Sequence, residues 1–387
     1  MPNNLKDYFL LEPDVIFLNH GSFGACPRPV FEAYQFWQRK LESQPVRFLQ
    51  REFRELDQQA RQTLGEYLHA CEDDLVYIPN ATYGVNIVAR SIALGPGDEI
   101  LATDHEYGAC NHTWEFVCQK TGAAYCHQPI PLPVAAADEI VDEFWRGVTP
   151  RTKVIFLSHI TSPTALRLPV EAICQRAREA GILTLIDGAH APGQTPLDMQ
   201  AIASDFYIGN CHKWLLSPKG VGFFYARPEV QHLVEPLVVS FYQRQPEGTS
   251  HDGHLIDFLR WTGTRDPAAE LAVPAAIHFM AENHWDQVSQ DCHDLLRWAI
   301  GQICTMNDIP PAYPVDSDLY CQMGIAPLLP DVDLPRLKNE LYDRYQIEVP
   351  MTMLNGQKFI RISVQGYNTP NDLEMLVEGL RNLQAQV

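Results

Sequence analysis

The fold of this chain is decided by the stretch Ser204-Asp-Phe-Tyr-Ile-Gly-Asn-Cys-His-Lys-Trp214 and by Leu185-Ile-Asp-Gly-Ala-His190 upstream of it. Each segment begins as an apolar run of strand length and then breaks at a small residue beside polar side chains. In an open α/β sheet, ligands bind beyond the carboxyl ends of the strands. The two segments therefore predict that a carboxylate, two histidines and a lysine lie together at one edge of a sheet.

These residue types are the ones that pyridoxal phosphate (PLP) needs. Its aldehyde needs a lysine amine, its ring nitrogen a carboxylate and its phosphate hydrogen-bond donors. Only Lys213 and Lys219 of the eight lysines lie near this edge, which narrows the search for the amine. An Asp-Gly or His-Lys pair alone usually marks a turn or a solvated surface. It is the order of strand, Asp-Gly-Ala-His, loop, strand and Asn-x-His-Lys that favours PLP.

This order of motifs resembles the class V aminotransferase family of fold-type I PLP enzymes, and within it the isopenicillin N epimerase-like proteins. The resemblance runs from Phe17-Leu-Asn-His-Gly-Ser-Phe-Gly24 to Arg361-Ile-Ser-Val-Gln-Gly-Tyr-Asn-Thr369. It implies an α/β fold with a mostly parallel seven-stranded sheet flanked by helices, and a smaller α+β domain. The expected limits are 31–268 for the large PLP-binding domain, and 1–30 with 269–387 for the small domain.

The resemblance also implies roles at the reacting centre. Lys213 would bond the cofactor and then remove the substrate α-proton, while Asp187 would keep the ring nitrogen protonated. His190 would lie beside the phenolic oxygen of the ring. Tyr107 would stack on the ring, although a core tyrosine is the alternative. Arg361 would bind the substrate α-carboxylate through its planar fork, although a strand-edge arginine in a salt bridge is the alternative.

A phosphate site is predicted after the apolar run Leu75-Val-Tyr-Ile78, where a small-residue turn precedes a helical pattern. The unpaired N–H groups and the dipole of a helix start favour an anion. Matching the family's phosphate loop implies that Ala81 and Thr82 contact the phosphate and that Asn210 and His212 face it. Thr82 is also a candidate N-cap, and the two roles are compatible.

Four further candidates follow from the resemblance. Ser162 would lie near the cofactor and the substrate carboxylate, and Thr264 would reach the phosphate of the partner subunit's cofactor in a homodimer. His20 would contact the substrate, although a loop histidine bonded to backbone is the alternative. Arg47 would be a substrate-side residue, although its helical spacing also favours a solvated helix face.

Composition excludes several classes of function. The net charge of −19 and the lack of a basic cluster argue against nucleic acid as a partner. The ten cysteines form no C-x-x-C pair and no Cys/His zinc spacing, so no metal is expected and free thiols are. No apolar run reaches membrane-spanning length and the N-terminus lacks a signal-peptide profile, so we expect a cytoplasmic protein with no membrane partner.

The sequence motifs indicate the cofactor, but they do not distinguish between several reactions. Epimerisation, C–S cleavage by β-elimination and transamination all begin with loss of the α-proton from an amino acid. Residues 348–358 contain no cysteine, which argues against persulfide transfer of the cysteine desulfurase kind. We expect epimerisation first and C–S lyase activity second, with aminotransferase or a PLP-binding regulatory homologue as further alternatives. An epimerase needs a second proton donor, for which Tyr107, His105 and His20 are candidates.

Overall fold

Seven of the strands form one sheet that positions the site. The computed structural model describes residues 5–241 and 254–384. The strands in these residues are β1 (Ile16–Phe17), β2 (Leu75–Ile78), β3 (Glu99–Thr103), β4 (Ala124–Gln128), β5 (Thr152–Ser158), β6 (Leu183–Gly188), β7 (Phe206–Asn210), β8 (Gly222–Ala226), β9 (Met323–Pro327), β10 (Ile347–Glu348), β11 (Met351–Leu354) and β12 (Gln357–Ser363).

The α-helices cover the faces of this sheet and build the rest of the chain. They are α1 (His20–Phe23), α2 (Arg28–Ser43), α3 (Pro45–Arg47), α4 (Phe53–Leu68), α5 (Ala81–Ser91), α6 (Gly108–Thr121), α7 (Ala137–Trp145), α8 (Val170–Glu179), α9 (Met199–Ile202), α10 (His254–Leu259), α11 (Ala268–Leu271), α12 (Val273–Glu282), α13 (Trp285–Asn307), α14 (Leu334–Tyr345) and α15 (Pro370–Gln384). Short 3-10 turns span Lys6–Tyr8, Glu72–Asp74 and Pro228–Leu233, and Phe48–Glu52 is a π-helix.

The large sheet has the strand order β2-β8-β7-β6-β5-β3-β4. Strand β8 is antiparallel to both of its neighbours, and every other pair is parallel. The predicted mostly parallel seven-stranded sheet is confirmed. Six strands therefore end at the same edge, which is the edge where the sequence places its polar residues.

Both faces of the sheet are buried. In β2, Leu75 and Tyr77 pack into the core on one face, whereas Val76 and Ile78 pack into the core on the other. This arrangement explains why the inner strands are nearly continuous apolar runs. Strand β4 lies at the sheet edge and is partly exposed, and its sequence Ala-Tyr-Cys-His-Gln gives no apolar signal that would predict it.

A smaller antiparallel sheet, with the order β11-β12-β9, contains Arg361. The N-terminal segment joins this part of the molecule, because β1 pairs in parallel with β10 at Ile16 and Ile347. The apolar core is continuous from Ile186 of the large sheet to Ile362 of the small one. The pairing favours an N-terminal contribution to the small domain, whereas the domain limits stay a prediction.

The region 269–301 contains most of α11, all of α12 and most of α13. The break before α13 falls at His284, which has a left-handed φ of 50°. A non-glycine residue in that conformation is not signalled by propensity. Within residues 5–241 and 254–384, no helix has the length and apolar character needed to cross a membrane.

Candidate active site

A cavity of about 300 Å³ lies beyond the carboxyl ends of β2, β5, β6 and β7. Nine of the predicted site residues line it. They are Ala81, Thr82, Tyr107, Ser162, Asp187, His190, Asn210, His212 and Lys213. The residues come from segments up to 132 positions apart, and the sheet topology alone brings them together.

One end of the cavity is formed by the first turn of α5. The N-cap is Asn80 rather than Thr82, because Asn80 Oδ1 accepts from the Tyr83 backbone N–H at 2.9 Å. The Ala81 N–H donates to Asn210 Oδ1 at 2.8 Å, which ties α5 to the end of β7. Neither the N–H nor the hydroxyl of Thr82 has a hydrogen-bond partner within the described part of the chain. Thr82 therefore offers two donors to an anion at a helix start.

His212 borders the cavity on the β7 side. Its Nδ1 lies 2.9 Å from the carbonyl oxygen of Val221, so Nδ1 carries a proton and donates. Burial lowers the pKa of His212 to about 4, which leaves the ring neutral until an anion approaches. A bound phosphate would oppose this shift by favouring the imidazolium.

Lys213 occupies the centre of the site. Its Nζ lies 3.2 Å from His190 Nε2. Burial lowers the pKa of Lys213 to about 8, with the Asp187 carboxylate opposing and the Arg361 cation reinforcing the shift. A minority of the amine, about one fifth at pH 7.4, is consequently neutral and can act as a nucleophile or a general base.

Asp187 ends β6 as a buried carboxyl group. Its Oδ1 accepts from the Ala189 N–H at 2.9 Å, and the Cys110 thiol lies 3.5 Å from Oδ2. Burial raises the pKa of Asp187, which the Ala189 bond and the Lys213 charge oppose. In the residues that the structure describes, no cationic side chain lies within 4 Å of this carboxyl group. It therefore fits a ligand that brings its own N–H cation, such as a pyridinium ring.

Arg361 lies behind the cavity wall, where it is only 6% exposed. Its Nη1 donates to the Ser162 carbonyl oxygen at 2.6 Å and its Nη2 to Ser22 Oγ at 3.1 Å. Its Nε is buried without a partner, and no carboxylate of the described residues pairs with it. Burial lowers the pKa of Arg361 to about 10. A buried cation without a counter-charge is a receptor for an anionic ligand.

Besides Arg361, three other predicted residues do not line the cavity. His20 is fully buried behind Lys213, so the expected direct substrate contact is corrected: its ring bonds the Tyr367 hydroxyl and the Lys213 carbonyl oxygen, each at 3.1 Å. Arg47 is exposed and pairs with Glu52 at 3.0 Å, away from this chain's cavity. Thr264 also lies outside the cavity, and its predicted role requires a second subunit.

Sequence reasoning missed two groups that the structure brings to the site. The Trp214 indole donates to His190 Nδ1 at 3.3 Å. Glu106 is buried and accepts from Thr103 Oγ1 and Ser158 Oγ, each at 2.6 Å. Burial raises the pKa of Glu106 to about 7 despite these bonds. An acidic residue three positions after the end of strand β3 was an available signal for Glu106.

Comparisons with known proteins agree with this geometry. The aminotransferase class-V family profile matches residues 17–322. Isopenicillin N epimerase of Amycolatopsis lactamdurans is 35% identical over 391 residues, covering 98% of each chain. A probable chloroplastic L-cysteine desulfhydrase of Arabidopsis thaliana is 28% identical over 409 residues, covering 96% of this chain and 83% of its own.

Solved structures agree on the fold. Two structures of the cystine C–S lyase C-DES, one with glycine covalently linked to its PLP cofactor, give a TM-score of 0.79 at 20% identity. They cover 96% of this chain and 97% and 98% of theirs. The family profile spans most of the chain and the epimerase spans nearly all of it. This chain belongs to the aminotransferase class-V family.

Proposed function

We propose that this protein is a PLP-dependent enzyme that removes the α-proton of an amino acid, with epimerisation at the α-carbon as its leading reaction. The observation that carries the proposal is the Lys213 amine, buried with a pKa of about 8, in one cavity with the unpaired Asp187 carboxyl group. The near full-length similarity to an isopenicillin N epimerase supports this reaction in particular.

The residues of the cavity fit PLP. Thr82 and His212 would hold the phosphate, Asp187 the ring nitrogen, Tyr107 the ring face and Lys213 the aldehyde. When bound, PLP supplies an aldehyde that bonds amines and a ring that withdraws electrons from the substrate α-carbon. The fit rests on the unengaged donors of Thr82 and on the lack of a cation beside Asp187 among the residues described.

Arg361 binds the α-carboxylate of the substrate. A guanidinium has five N–H donors. In Arg361, Nη1 donates to Ser162 and one Nη2–H donates to Ser22. The Nε–H and the second Nη2–H lie on one edge of the planar group, which matches the two oxygens of a carboxylate. Ser22 and Ser162 line the cavity and fix the arginine against rotation.

Lys213 takes the α-proton at Nζ, and a second group must return a proton from the opposite face for the configuration to invert. His105 is excluded from direct contact, because its ring nitrogens bond Thr164 Oγ1 at 2.7 Å and the Ile130 carbonyl oxygen at 2.8 Å. Tyr107 is the one member of the three sequence candidates that lines the cavity, and it is 47% exposed. We assign the second proton transfer to Tyr107.

Cysteine C–S lyase activity is the second candidate. Elimination needs only Lys213 and a leaving group on the β-carbon, and L-cysteine desulfhydrase-type relatives cover 96% of this chain. The cysteine-free segment 348–358 leaves no thiol there to accept sulfur, so any sulfur released from cysteine would leave as sulfide. Transamination uses the same residues and is the third candidate.

The deciding experiment incubates the cofactor-loaded protein with D- and L-amino acids in deuterated water. We expect α-deuteration together with inversion of configuration. Pyruvate with sulfide from cysteine, or pyruvate with cysteine persulfide from cystine, without inversion of amino acids that lack a β-leaving group, would replace the epimerase by the lyase. A cofactor absorbance band that responds to amino acids without any product would identify a PLP-binding regulatory protein.

We also propose a cytoplasmic homodimer in which Thr264 reaches the partner's cofactor phosphate. Sedimentation equilibrium should give twice the chain mass. Thr264→Ala should then weaken cofactor binding without changing that mass, whereas a monomeric wild type with full cofactor affinity would contradict the proposal. Limited proteolysis near residues 30 and 268 tests the proposed domain limits.

A further inference from the structure

The ring of His190 lies between an indole and an amine. Trp214 Nε1 is 3.3 Å from His190 Nδ1, and His190 Nε2 is 3.2 Å from Lys213 Nζ. An indole N–H is only a donor, so His190 Nδ1 has to be the acceptor in the first contact. A neutral imidazole has one proton, which must then lie on Nε2. The contact with Lys213 is therefore a donation from His190 Nε2–H to the lone pair of the amine.

We propose that Trp214 fixes His190 as the Nε2–H tautomer, and that His190 in this form holds the Lys213 amine neutral and oriented for reaction. Trp214 is then a positioning residue that acts through His190. The inference rests on the proposed function only for the reaction in which the Lys213 amine is used. The hydrogen bonds from Trp214 to His190 and from His190 to Lys213 do not depend on it.

The surroundings leave His190 no other protonation state of comparable free energy. Trp214 is fully buried and His190 is 3% exposed. A proton on Nδ1 would set two N–H donors against each other where water cannot separate them, which costs the desolvation free energy of both groups. Burial also holds the pKa of His190 well below its usual range, and the neighbouring Arg361 cation adds to this shift.

The ring and the backbone of Trp214 each contact a neighbouring segment. The Trp214 ring lies against the ring of His20, with 4.8 Å between the centroids, and His20 bonds the backbone of Lys213. Gly193 packs against the Trp214 backbone, where a Cβ added to Gly193 would lie 2.1 Å from the Trp214 carbonyl oxygen. The indole is therefore packed against a residue that also holds the backbone of the lysine.

Other ionisable groups also face this pair, and they set the background for any pH measurement. Lys213 is influenced by Asp187, Arg361 and Cys110, and His190 by Lys213, Arg361, His20 and His212. None of these groups is an N–H donor to His190 Nδ1. Replacing Trp214 thus changes the hydrogen bond at Nδ1 and leaves the charges around the site as they are.

The first test is made on the wild-type protein, and a variant serves only to assign its signals. Cofactor-free protein labelled with ¹⁵N-histidine is examined by two-bond ¹H–¹⁵N NMR, with the His190 signals identified by their loss in His190→Gln. We expect a neutral ring protonated at Nε2 at pH 9, where the Lys213 amine with its pKa of about 8 is mostly neutral, and no titration of the ring near the ordinary histidine pKa of about 6.5. An Nδ1–H ring, or a ring that titrates near that ordinary value, would overturn the proposal whether or not Trp214→Phe folds.

The second test compares Trp214→Phe with Trp114→Phe. Trp114 is equally buried, but its Nε1 has no partner in the described residues, so its substitution is a matched control. The amine is probed by the pH dependence of Lys213 carbamylation by cyanate, which is followed by peptide mass spectrometry. Loss of a donor to the neutral amine should raise the apparent pKa of Lys213 by about half a unit to one unit in Trp214→Phe only. An unchanged profile with an unchanged Nε2–H tautomer would overturn the proposal.

Neither test uses PLP or turnover. A protein that shows the expected tautomer and carbamylation profile but does not bind PLP would refute the proposed function and leave the role of Trp214 intact. A PLP enzyme whose His190 is protonated at Nδ1 would refute the role of Trp214 and leave the proposed function intact.

Discussion

Arg361 Nη1 lies 2.6 Å from the carbonyl oxygen of Ser162, and this hydrogen bond joins β12 of the small sheet to the loop that follows β5 of the large sheet. The bond holds the guanidinium at the cavity wall, where Nε–H and the Nη2 donor not used by Ser22 form the edge left for a ligand. A substrate carboxylate that binds this edge would contact both parts of the chain. Substrate affinity is therefore expected to depend on Arg361 much more than cofactor affinity does.

Arg361→Ala should raise KM for the amino acid roughly 10- to 150-fold, because hydrogen bonds to a charged group contribute about 1.5–3 kcal/mol. The cofactor Kd should change little. Steady-state kinetics and absorbance titration measure the two quantities. Arg336→Ala removes an exposed arginine that pairs with Glu340, and it is the control. Equal losses of substrate and cofactor affinity would make Arg361 a structural residue.

Lys213→Ala should abolish the borohydride-stable attachment of PLP and all turnover, because the substitution removes the amine that bonds the aldehyde. Lys219→Ala is the matched control, since Lys219 is nearby in sequence and its amine donates to the Gly24 carbonyl oxygen at 3.0 Å. Peptide mass spectrometry after reduction locates the modified lysine. A reduced cofactor found on Lys219 in the wild type would refute the assignment.

Gly24→Ala should displace the catalytic lysine. An added Cβ at Gly24 would lie 2.1 Å from the His212 carbonyl oxygen and 2.9 Å from Lys213 Cα. Gly181 has the same φ of +70° but nothing within 4 Å of the added atom, so Gly181→Ala controls for backbone strain. We expect Gly181→Ala to cost about 1 kcal/mol of stability and to keep full cofactor binding, whereas Gly24→Ala loses cofactor as well. Equal cofactor affinity in both variants would contradict the close approach.

Glu106 should make stability depend on pH. Burial raises the pKa of this carboxyl group from 4.5 to about 7 in the folded state. The contribution of Glu106 to the free energy of unfolding is thus fully present below about pH 4.5 and is lost as pH rises through about 7. The expected loss is about 3 kcal/mol.

The measurement is urea unfolding of cofactor-free wild type and Glu106→Gln, whose amide does not titrate. The stability of the variant relative to wild type should rise by about 3 kcal/mol between pH 4.5 and pH 8. Exposed Glu282→Gln should show no such change and is the control. A constant difference between Glu106→Gln and wild type would show that Glu106 stays ionised.

The strand-end residues could be predicted because their chemistry is local to the chain. Asp187 and Lys213 each follow an apolar run, and the parallel topology places both at one edge. The capping of α5 was ambiguous by the same local rules, because Asn80 and Thr82 are both good N-cap residues. The structure decides between them through the Asn80–Tyr83 bond.

Contacts between distant segments could not be predicted. His20 looked like a substrate residue, but it bonds the backbone of Lys213 across 193 positions of sequence. Ser162 and Arg361 meet across 199 positions, and only the pairing of sheets decides such contacts. Trp214 was given no role from the sequence, because its function as a donor depends on where the loop after β6 places His190.

Tyr107 separates epimerisation from elimination. Its ring lines the cavity, and its backbone is fixed because the Tyr107 carbonyl oxygen accepts from the Cys110 N–H at 2.9 Å. Phenylalanine keeps the ring face that a cofactor ring would contact and removes the hydroxyl. Tyr107→Phe should therefore slow inversion of configuration by about 10²- to 10⁴-fold, the usual contribution of a general acid.

In Tyr107→Phe, exchange of the α-proton with retention should continue near the wild-type rate, because Lys213 can both remove and return the proton on its own face. Elimination from cysteine, if present, should also continue, since it needs no second acid. The ratio of inversion to α-deuteration is measured by chiral chromatography and mass spectrometry. It distinguishes loss of proton transfer by the Tyr107 hydroxyl from a general loss of activity caused by damage to the site. Tyr125→Phe is the control, because the Tyr125 hydroxyl bonds Asn111 at 2.7 Å outside the cavity. Parallel losses of inversion and exchange would assign Tyr107 to cofactor positioning, and unchanged inversion would require another proton donor.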